Sequence, residues 1–482
     1  MKIPKEVKEI TKKITDAGFE AYIVGGCVRD ILMDLDPKDW DVTTNATPEQ
    51  IQEIFPDSFY ENEFGTVGVK TDNDDPVLHV VEVTTYRLES AYSDKRRPDS
   101  VTFTKKLDED LKRRDFTMNA IAMDQNGDIA DPYKGQEDIK KKVIRAVGDP
   151  DERFAEDALR MMRAIRFVSM LGFEIESETL KSIKKHHESL KDISQERIHD
   201  ELIKLINGQY PDKAIELLRE TGLMKYVLPE LLEGVGVEQN LHHIYTVWEH
   251  NILSLKYSAE QKYSIEVRIA SLLHDVGKPK TKYGEGYNST FYSHEVAGER
   301  MTRKALERLK FSKDMTDKIA KLVRWHMFYY DVEKVTESAV RRLVVRIGRE
   351  NVEDLIKVRE ADRIGSGVPK AKPYKLRHLQ FMIDKVARDP VSPKMLKING
   401  NDLMKLLKIE PSPKIGMIVH ALMEEVLDDP KKNTKKCLSD KAKELNDMSE
   451  AQLMELKKKG QDKIAEEEER EVGKIKAKHY VK

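Results

Sequence analysis

Two glycines at the end of one apolar run and an Asp-x-Asp pair on the next restrict the fold of this chain more than any other feature. The run EAYIV ends at Gly25-Gly26, and the segment DWDVTT carries Asp39 and Asp41. The first pattern predicts a buried strand that enters a glycine turn, where the backbone can approach a bulky anion because glycine has no Cβ. A helix that starts there offers free N–H groups to phosphate oxygens. On a strand, the two aspartates point to one face, where they can bind one or two Mg²⁺ ions.

Either half of this arrangement also has a simpler interpretation. A Gly-Gly turn and a pair of solvated aspartates are both common turn chemistry. The combination is more informative, because Arg29 stands at the start of the helix that separates the two halves. A glycine turn, a basic helix start and an Asp-x-Asp strand together indicate nucleotidyl transfer, in which metal ions activate a hydroxyl and neutralise the leaving pyrophosphate.

Length and charge limit the classes of protein that remain. The 482 residues are 39% hydrophobic, which is enough for two to four packed units. The 84 Lys and Arg residues nearly balance 86 Asp and Glu residues, so any nucleic acid must be bound by local basic patches. Only Cys27 and Cys437 are cysteines, which argues against a disulfide framework. The N-terminus has no apolar stretch of signal or membrane-spanning length, so we expect a cytoplasmic protein that has no membrane contact. No protein partner is evident.

The spacing of apolar residues changes near Asp149. Before this point, short strand patterns alternate with polar breaks, in EAYIVGG, DWDVTT, GTVGVKT and VLHVVEVTTYR. After it, apolar residues recur three and four positions apart in segment after segment, as in VRIASLLHDVG and GMIVHALMEEVL. The sequence therefore predicts an α+β unit of about 147 residues followed by an all-α remainder.

Five ordered motifs carry a resemblance to a known family. The first is Gly25-Gly26-x-x-Arg29-Asp30 with Asp39-x-Asp41. The others are RRDFTMNAIAMD (113–124), DPYKGQEDI (131–139), EDALRMMRAIRF (156–167) and SQERIHDELIKLI (194–206). Together they resemble the motifs of the class II tRNA nucleotidyltransferases, which are the CCA-adding enzymes and their relatives, the bacterial poly(A) polymerases. The likeness covers residues 20–210 well and extends more loosely to about residue 430, through the segment INGNDLMKLLKIEPSPKIG.

The resemblance implies an architecture. We expect a polymerase-beta-like nucleotidyltransferase head with a small mixed sheet (1–147) and a helical neck that recognises the nucleotide base (148–235). A helical body of the HD (histidine-aspartate) type would follow (236–366), and then a C-terminal helical tRNA-binding region with a charged tail (367–482).

The resemblance also implies an activity and its residues. The enzyme would add CCA to the tRNA 3′ end from CTP and ATP, with Mg²⁺ bound by the catalytic Asp39 and Asp41 and with Glu82 as a weaker candidate nearby. The residues that would bind the nucleotide are Gly25, Gly26, Arg29, Arg113, Asp115, Asn119, Asp157, Arg160 and Arg163. Arg113, Arg114 and Asp115 would open a helix-like stretch that reaches Asn119. Two arginines beside an aspartate are also typical of a surface ion pair.

The EDALR segment suggests how the base is read. Asp157 and Arg160 are three residues apart on a predicted helix, so their side chains would project side by side. A carboxylate accepts a hydrogen bond from an exocyclic amine, and a guanidinium donates one to the adjacent ring nitrogen. Cytosine and adenine both present that pattern, whereas uracil and guanine present a carbonyl beside an N–H. A salt bridge on a helix surface is the alternative interpretation of the same spacing.

The polar segment SDKRRPDS (93–100) is predicted to be a mobile loop. By resemblance, such a loop lets the nucleotide pocket change from C to A. Its presence favours full CCA addition over the addition of CC alone.

The helical part contains a second constellation of His250, His274-Asp275 and Asp362, with His294 and His326 between them. A His-Asp pair inside an apolar helix is unusual, because neither residue belongs in a core unless it is paired or ligated. The set resembles the ligands of HD-superfamily phosphohydrolases and suggests a second divalent metal that activates water. The domain could equally serve as a helical body without activity, and His326 could be a satisfied interior histidine.

Three alternatives stay open at this point. The first is a poly(A) polymerase, or a partial enzyme that adds only CC or only A. The second is an HD phosphohydrolase whose head only senses nucleotide. The third is a non-catalytic RNA-binding protein, which we would expect to have lost one of the head aspartates. Four segments carry basic clusters that could follow tRNA phosphates, LKRRD, KKHHESLKD, KLVRWH and VPKAKPYKLRHLQ, although each alone is more typical of a solvated helix face.

Overall fold

The computed structural model describes residues 3–62, 64–89, 101–240, 244–328, 330–332, 334–388 and 393–481. The chain forms two compact units. The first contains Met1–Met327 and Glu353–Ala371, and the second contains Phe328–Val352 and Lys372–Lys482. The predicted four-domain division is finer than these two units and stays a prediction.

A mixed sheet forms the N-terminal part of the first unit. Among the described residues the strands are β1 Ala21–Val24, β2 Asp41–Thr44, β3 Ser58–Asn62, β4 Thr66–Lys70, β5 Val80–Thr85, β6 Arg87–Glu89, β7 Val101–Phe103, β8 Ala122–Met123, β9 Ile129–Ala130, β10 Val143–Ile144 and β11 Glu174–Ile175. The main sheet has the order β3-β4-β5-β2-β1-β8-β9. Strands β2 and β5 are parallel and the other neighbours are antiparallel. The prediction of an α+β head with a small mixed sheet is confirmed.

The apolar side chains of the central strands hold this sheet together. Ile23, Val42, Val67 and Val83 are fully buried, as alternating β-branched residues on a covered sheet face should be. The strand order places the end of β1 beside the start of β2, so the glycine turn and the Asp-x-Asp pair meet at one edge of the sheet.

Helices make up most of the remainder of the first unit. They are α1 Lys5–Asp16, α2 Gly26–Leu32, α3 Pro48–Ile54, α4 Leu107–Lys112, α5 Gly135–Lys141, α6 Pro150–Glu156, α7 Leu159–Leu171, α8 Ser177–His186, α9 Gln195–Ile206, α10 Pro211–Glu220, α11 Met224–Val227, α12 Pro229–Leu232, α13 Val247–Glu260, α14 Ile265–Leu273, α15 Lys278–Thr281, α16 His294–Arg308 and α17 Lys313–Trp325. Helix α7 packs against α9 and α10, and α14 packs against α13 and α17. Because α7 is covered on most of its surface, ten of its thirteen residues are buried.

The second unit has its own helical core. The next helices in the chain are α18 Glu337–Ile347, α19 Val352–Gly365, α20 Tyr374–Ala387, α21 Gly400–Leu407, α22 Pro413–Asp428, α23 Lys435–Asn446 and α24 Glu450–Lys478. All but the first residue of α19 belong to the first unit. Leu403, Ile418, Leu422 and Leu453 are almost completely buried where α21, α22 and α24 meet. The charged tail of the sequence is thus the long helix α24, which packs on α22.

Candidate functional site

A cavity of about 650 Å³ opens in the head where β1 meets α2. Gly25 lies at this junction with a φ of 85°, a conformation that residues with a Cβ rarely adopt. A Cβ at Gly25 would lie 3.1 Å from Arg114 Nη1 and 3.5 Å from Asp41 Oδ2. The glycine therefore lets a cation and a carboxylate both approach the turn closely.

Asp39 and Asp41 both line this cavity. The prediction that both lie on a strand is wrong in part, because β2 begins at Asp41 and Asp39 precedes it. On the parallel neighbour β5, Glu82 stands in register with Asp41, but it is not among the residues that line the cavity. Two carboxylates that face one cavity are oxygen donors of the kind that Mg²⁺ prefers, so the residues fit the predicted metal.

A chain of hydrogen bonds links residues from three motifs along the cavity wall. Arg29 Nη1 donates to Asn119 Oδ1 at 2.7 Å, and Asn119 Nδ2 donates to Asp115 Oδ1 at 3.0 Å. Asp115 Oδ2 accepts from Arg163 Nη2 at 2.6 Å and from Arg163 Nε at 2.8 Å. Burial alone would raise the pKa of Asp115, but Arg163 and the Asn119 bond hold it well below its usual range. The chain therefore has fixed charges: both arginines are cationic and Asp115 is an anion.

Helix α7 presents one face to this cavity. Arg163, Arg166, Phe167 and Met170 line it, at the spacing of residues that share a helix face. Arg166 Nη1 donates to Glu201 Oε1 at 3.2 Å, and its guanidinium lies 4.6 Å from the centre of the Phe167 ring. These contacts hold the Arg166 side chain at the cavity wall.

Several charged residues of this wall had no role predicted from the sequence. They are Asp30, Asp36, Lys38, Arg166 and Lys204, and the structure adds Arg114 to the nucleotide-binding candidates. Arg114, Arg166 and Lys204 all stand inside the quoted motifs. Which basic residues of a motif line the cavity depends on which face of each helix is turned to it, and only the packing of the helices defines that face.

Three predicted nucleotide-binding residues lie elsewhere. Arg113, Asp157 and Arg160 are not among the described residues that line the cavity. Arg113 Nε donates to the buried Asp110 at 2.9 Å, and Arg114 Nη2 lies 3.5 Å from the same carboxylate. The predicted helix-like stretch from 113 to 119 is also wrong, because α4 ends at Lys112 and only a short 3₁₀ turn, Thr117–Asn119, follows.

The predicted helical pairing of Asp157 with Arg160 is wrong in its geometry. Asp157 has extended backbone angles at the break between α6 and α7, so the two residues are not three apart on one continuous helix. Asp157 Oδ2 accepts from Arg197 Nη2 at 2.7 Å. Arg160 donates to Glu156 Oε2 at 2.6 Å and to the Arg113 carbonyl at 3.1 Å. Each residue thus has its own partners, and the contact with the Arg113 carbonyl places the Arg160 guanidinium at the RRD motif.

A second cavity, of about 620 Å³, opens onto the cluster that the helical part was predicted to contain. His250 lies on α13, His274 and Asp275 directly follow α14, and Asp362 lies on α19. The His-Asp pair is thus at a helix end and not inside a helix. His250 Nε2 lies 3.2 Å from Asp275 Oδ2 and 3.4 Å from Asp362 Oδ1. His274 Nε2 lies 3.4 Å and 3.7 Å from the same two oxygens. The four predicted residues therefore converge.

His294 and His326 belong to the same cluster. His294 begins α16 and His326 follows α17, and their Nε2 atoms lie 3.3 Å and 3.6 Å from Asp275 Oδ1. All six side chains are buried or nearly so. Burial would lower the pKa of His250, but hydrogen bonds to Asp275 and Asp362 raise it to about 9. For His326 burial prevails and lowers the pKa to about 4. A mixed set of imidazoles and carboxylates is suited to a divalent transition metal.

A glycine lets the helices of this cluster meet. A Cβ at Gly277 would lie 2.2 Å from the carbonyl oxygen of His294 and 2.5 Å from the backbone nitrogen of Gly298. No side chain fits into this contact, so the turn after Asp275 lies directly against the start of α16. In the sequence, the Gly-Lys-Pro of HDVGKP indicates a turn after Asp275, but it does not say which helix lies against that turn.

Two further predictions concern the mobile loop expected at 93–100 and the membrane. The loop 93–100 lies outside the described residues, although the strands β6 and β7 that flank it pair as an antiparallel hairpin. Among the residues with a described structure, no helix combines the length and apolarity that crossing a bilayer requires.

Comparison with known protein families gives three matches along the chain. Residues 21–145 match the "Poly A polymerase head domain" and residues 172–234 match the "Probable RNA and SrmB- binding site of polymerase A". Residues 290–442 match domain 2 of tRNA nucleotidyltransferases. The three matches are in chain order and leave the segment with His250, His274 and Asp275 between the second and the third.

The individual proteins that this chain resembles are CCA-adding enzymes. The CCA-adding enzyme of Lactobacillus helveticus is 50% identical over 219 residues, which are 45% of this chain and 54% of that enzyme. The CCA-adding enzyme of Geobacillus thermodenitrificans is 49% identical over 225 residues, 46% of this chain and 54% of that enzyme. The chain thus spans about half the length of the curated relatives that it matches. The crystal structure of the Bacillus stearothermophilus CCA-adding enzyme in complex with CTP is similar over 92% of this chain and 98% of that one, at 30% identity and a TM-score of 0.58.

Proposed function

The chain belongs to the class II family of tRNA nucleotidyltransferases and bacterial poly(A) polymerases, and we propose that it adds and repairs the 3′-terminal CCA of tRNA from CTP and ATP. One observation carries the proposal: Asp39 and Asp41 face the same cavity as the hydrogen-bonded chain from Arg29 to Arg163. The relatives that match at about half identity are CCA-adding enzymes, which favours this activity over poly(A) synthesis. We keep the cytoplasm as the proposed compartment, since both triphosphates and tRNA are present there.

The cationic wall suits a nucleoside triphosphate. Arg29, Arg114 and Arg163 line the cavity together with the glycine turn, and Lys38 and Lys204 add further positive charge. Guanidinium groups bind phosphate oxygens in a fixed fork, so arginines held by Asn119 and Asp115 lose little freedom when the triphosphate binds. These residues would orient the α-phosphorus toward the RNA.

Asp39 and Asp41 would hold the divalent metal on which nucleotidyl transfer depends, and we propose Mg²⁺. The bound ion supplies activation of the RNA 3′-hydroxyl and neutralisation of the departing charge. The 3′-hydroxyl would lose its proton to water as its oxygen forms a bond to the α-phosphorus, the bond from that phosphorus to the β-phosphate oxygen would break, and pyrophosphate would leave. The protein residues of the wall would bind the triphosphate before this exchange and the pyrophosphate after it.

We propose that Asp157 and Arg160 read the base after they exchange partners. Asp157 now binds Arg197, and Arg160 binds Glu156. Both contacts are side-chain ion pairs that a nucleotide edge could replace with equivalent hydrogen bonds. A carboxylate and a guanidinium presented together would accept cytosine and adenine and reject uracil and guanine.

The test is incorporation by the purified chain, with Mg²⁺, on a tRNA transcript that lacks its last three nucleotides. CTP, ATP, both together, and UTP or GTP as controls are supplied, and the products are sequenced. We expect C, C and A followed by arrest. A long adenylate tail from ATP alone would make the chain a poly(A) polymerase, and arrest after CC would make it a partial enzyme. No incorporation would contradict the proposal.

We also propose a phosphohydrolase activity for the body, because six side chains that could bind a metal, five of them in two overlapping groups and Asp362 beside His250, converge next to a cavity there. His250, His274, Asp275 and Asp362 would hold a divalent metal that activates water. The ester bond of a phosphate at an RNA end would break as water adds to phosphorus, and the leaving hydroxyl would take the proton. Release of phosphate from an RNA oligonucleotide with a 3′-phosphate, measured with Mn²⁺, Ni²⁺ or Mg²⁺, tests it. No release with any of these ions would contradict the activity.

A further inference from the structure

We propose that a cavity lined by residues of α9, α10, α13 and α14 binds a small phosphate-bearing anion, either inorganic pyrophosphate or the phosphate tail of a nucleotide. The cavity has a volume of about 780 Å³. Among the described residues it shares no lining residue with the head cavity or with the cavity of the body cluster. The inference therefore concerns a third place in the molecule and goes beyond the proposed nucleotide addition. Four cationic side chains line this cavity, Lys213, Lys256, Lys262 and Arg268.

Arg268 is a buried cation without a carboxylate partner. The residue is 7% exposed. Its Nη1 donates to the carbonyl oxygens of Ile206 and Gly208, each at 3.0 Å, and its Nε donates to that of Tyr263 at 3.0 Å. Within the described part of the chain, Nη2 has no acceptor and the guanidinium forms no ion pair. Burial lowers the pKa of Arg268, and no carboxylate offsets that effect. A buried charge that has only neutral partners favours an anionic ligand.

The three lysines of the cavity share this property. None of them forms an ion pair with a described carboxylate, whereas lysines elsewhere in the chain do so, as Lys141 does with Glu137 at 2.6 Å. Lys213 Nζ instead lies 5.1 Å from the centre of the Tyr210 ring. Asp212 and Glu260 also line the cavity, so four cations against two carboxylates leave an excess of two positive charges. This excess attracts a multiply charged anion.

The start of α10 adds backbone donors to the same cavity. The helix begins at Pro211, and its next two N–H groups, of Asp212 and Lys213, have no acceptor inside the helix. Tyr210, the residue before the helix, provides no side-chain cap. Because α10 extends over ten residues, its dipole places partial positive charge at this end. Phosphate oxygens accept hydrogen bonds from such N–H groups, so the helix start and Arg268 both favour the same ligand.

A simpler explanation is that Arg268 only binds the carbonyl groups at the end of α9. It accounts for Nη1 but leaves Nη2 and three unpaired lysines around the same cavity without a reason. A guanidinium, ammonium groups and N–H donors together match the several oxygens of a phosphate group. A small anion can also reach the buried Arg268, whereas the backbone of a folded RNA would contact only the exposed lysines.

The experiment detects the anion at the start of α10 in the full-length chain. Divalent metals are removed with a chelator, which is then dialysed away, and amide hydrogen exchange of residues 209–214 is followed by mass spectrometry. We expect millimolar pyrophosphate to slow this exchange by about fivefold or more, because a bound anion holds the first turn of α10 closed.

A charge-removing variant tests the assignment without disturbing Arg268, whose loss could unfold the end of α9. The variant combines Lys213→Gln, Lys256→Gln and Lys262→Asn. Lys262 has a φ of 55°, which asparagine tolerates, so the fold should be retained. Pyrophosphate should no longer slow exchange at 209–214, and the affinity of this site in equilibrium dialysis should fall by about tenfold or more.

The matched control removes the same charges from exposed positions of the second unit. It combines Lys405→Gln, Lys436→Gln and Lys408→Asn, and Lys408 has a similar φ of 53°. Pyrophosphate should slow exchange in this control as in the unsubstituted chain.

Further ligands identify the source of the phosphate. Stronger protection of residues 209–214 by CTP than by pyrophosphate would assign the site to nucleotides, and the reverse order would assign it to free diphosphate. Protection that persists in the lysine variant, or no protection of the unsubstituted chain by any of these anions, would overturn the proposal. Weaker tRNA binding by the lysine variant, without protection by any anion, would also overturn it and assign the lysines to RNA.

Discussion

The head site and the body site both bring together metal-ligand residues, but they are built differently. In the head, the candidate ligands are two carboxylates at a strand end, and the surrounding cations are fixed by a chain of hydrogen bonds from Arg29 to Arg163. In the body, four imidazoles and two carboxylates converge from α13, α14, α16, α17 and α19 and lie directly against each other. The head donors are oxygens alone, which suits Mg²⁺, whereas the mixed body donors suit transition metals.

The difference shows how each site depends on its surroundings. In the proposed function, the charges of the head wall would exchange partners when a triphosphate enters. The body cluster is buried, and its two carboxylates are also paired with cations, Asp275 with Lys278 at 2.6 Å and Asp362 with Arg359. We therefore expect substitutions in the head to alter reaction rate and substrate choice. Substitutions in the body should alter metal content first.

The largest effect should follow from Asp39→Asn. The change removes one of the two carboxylates that would hold the catalytic metal, so we expect nucleotide incorporation to fall by about 10³-fold or more. The manganese content of the body should not change. Primer extension with CTP gives the rate, and Asp74→Asn, at an exposed acidic position of the head, is the matched control. A fall of less than tenfold would contradict the assignment of Asp39.

Asp115→Asn should give the next largest effect. It breaks the ion pair between the buried Asp115 and the partly exposed Arg163, which keeps only the more distant Glu201 as an anion, and this should cost about 2 kcal/mol of unfolding free energy. Because the folded pKa of Asp115 is lowered, its stabilising contribution is complete above the unfolded pKa of about 3.9. That contribution is lost as pH falls through the lower, folded pKa. Urea unfolding should thus show a difference from the unsubstituted chain that is large at pH 7 and shrinks below pH 4. A difference independent of pH would refute the ion-pair explanation.

Gly277→Ala tests the body site in the comparison with the head site. The new Cβ would overlap the start of α16, so we expect the free energy of unfolding to fall by about 2 kcal/mol. We also expect the metal bound through His294 to be lost. Incorporation of CTP should continue at a similar rate. Gly416→Ala on α22 is the matched control, because a Cβ there meets nothing within 4 Å and alanine favours a helix. Full metal content in Gly277→Ala would show that the close contact is not needed.

Asp157→Asn tests the base-reading proposal and should change selectivity more than rate. An amide at this position can donate to a carbonyl, so we expect discrimination against UTP to weaken by about tenfold. The ratio of CTP to UTP incorporation measures it. Glu152→Gln, on α6 at the other end of the same segment, is the control. Unchanged selectivity would show that Asp157 serves only to bind Arg197.

The smallest effect concerns the two thiols. Cys27 is buried beside the glycine turn, and burial raises its pKa to about 12, so it should not react with a thiol reagent at pH 8. Cys437 is exposed and should react at once. Titration of the native chain should give one fast thiol, and addition of denaturant should give the second. Two fast thiols would show that the head opens readily at this turn.

The sequence predicted elements best where one local pattern decides them. The strands β1, β4 and β5 follow from alternating apolar residues, and the glycine turn follows from its own two residues. The sequence also predicted that His250, His274, Asp275 and Asp362 belong to one cluster, from the His-Asp pair in an apolar segment and from the resemblance, and the structure brings the four side chains together. The HD assignment itself stays a prediction.

Other features depended on packing that no local pattern contains. The break at Asp157 lies within a segment in which Glu156, Ala158, Leu159 and Arg160 all favour a helix, and the structure interrupts it where Arg197 and the backbone N–H of Leu159 donate to the Asp157 carboxylate. The choice of Arg114 over Arg113 for the cavity depends on the buried Asp110, which binds Arg113 more closely. The role of His294 and His326 needed the distances to Asp275.

The most direct test of the account is one assay of two activities on two variants. Asp41→Asn and His274→Ala are each measured for CTP incorporation into tRNA and for phosphate release from RNA with a 3′-phosphate. We predict that Asp41→Asn abolishes incorporation and retains phosphate release, and that His274→Ala does the reverse. Loss of both activities in either variant would contradict the claim that this chain has two separate metal-dependent sites.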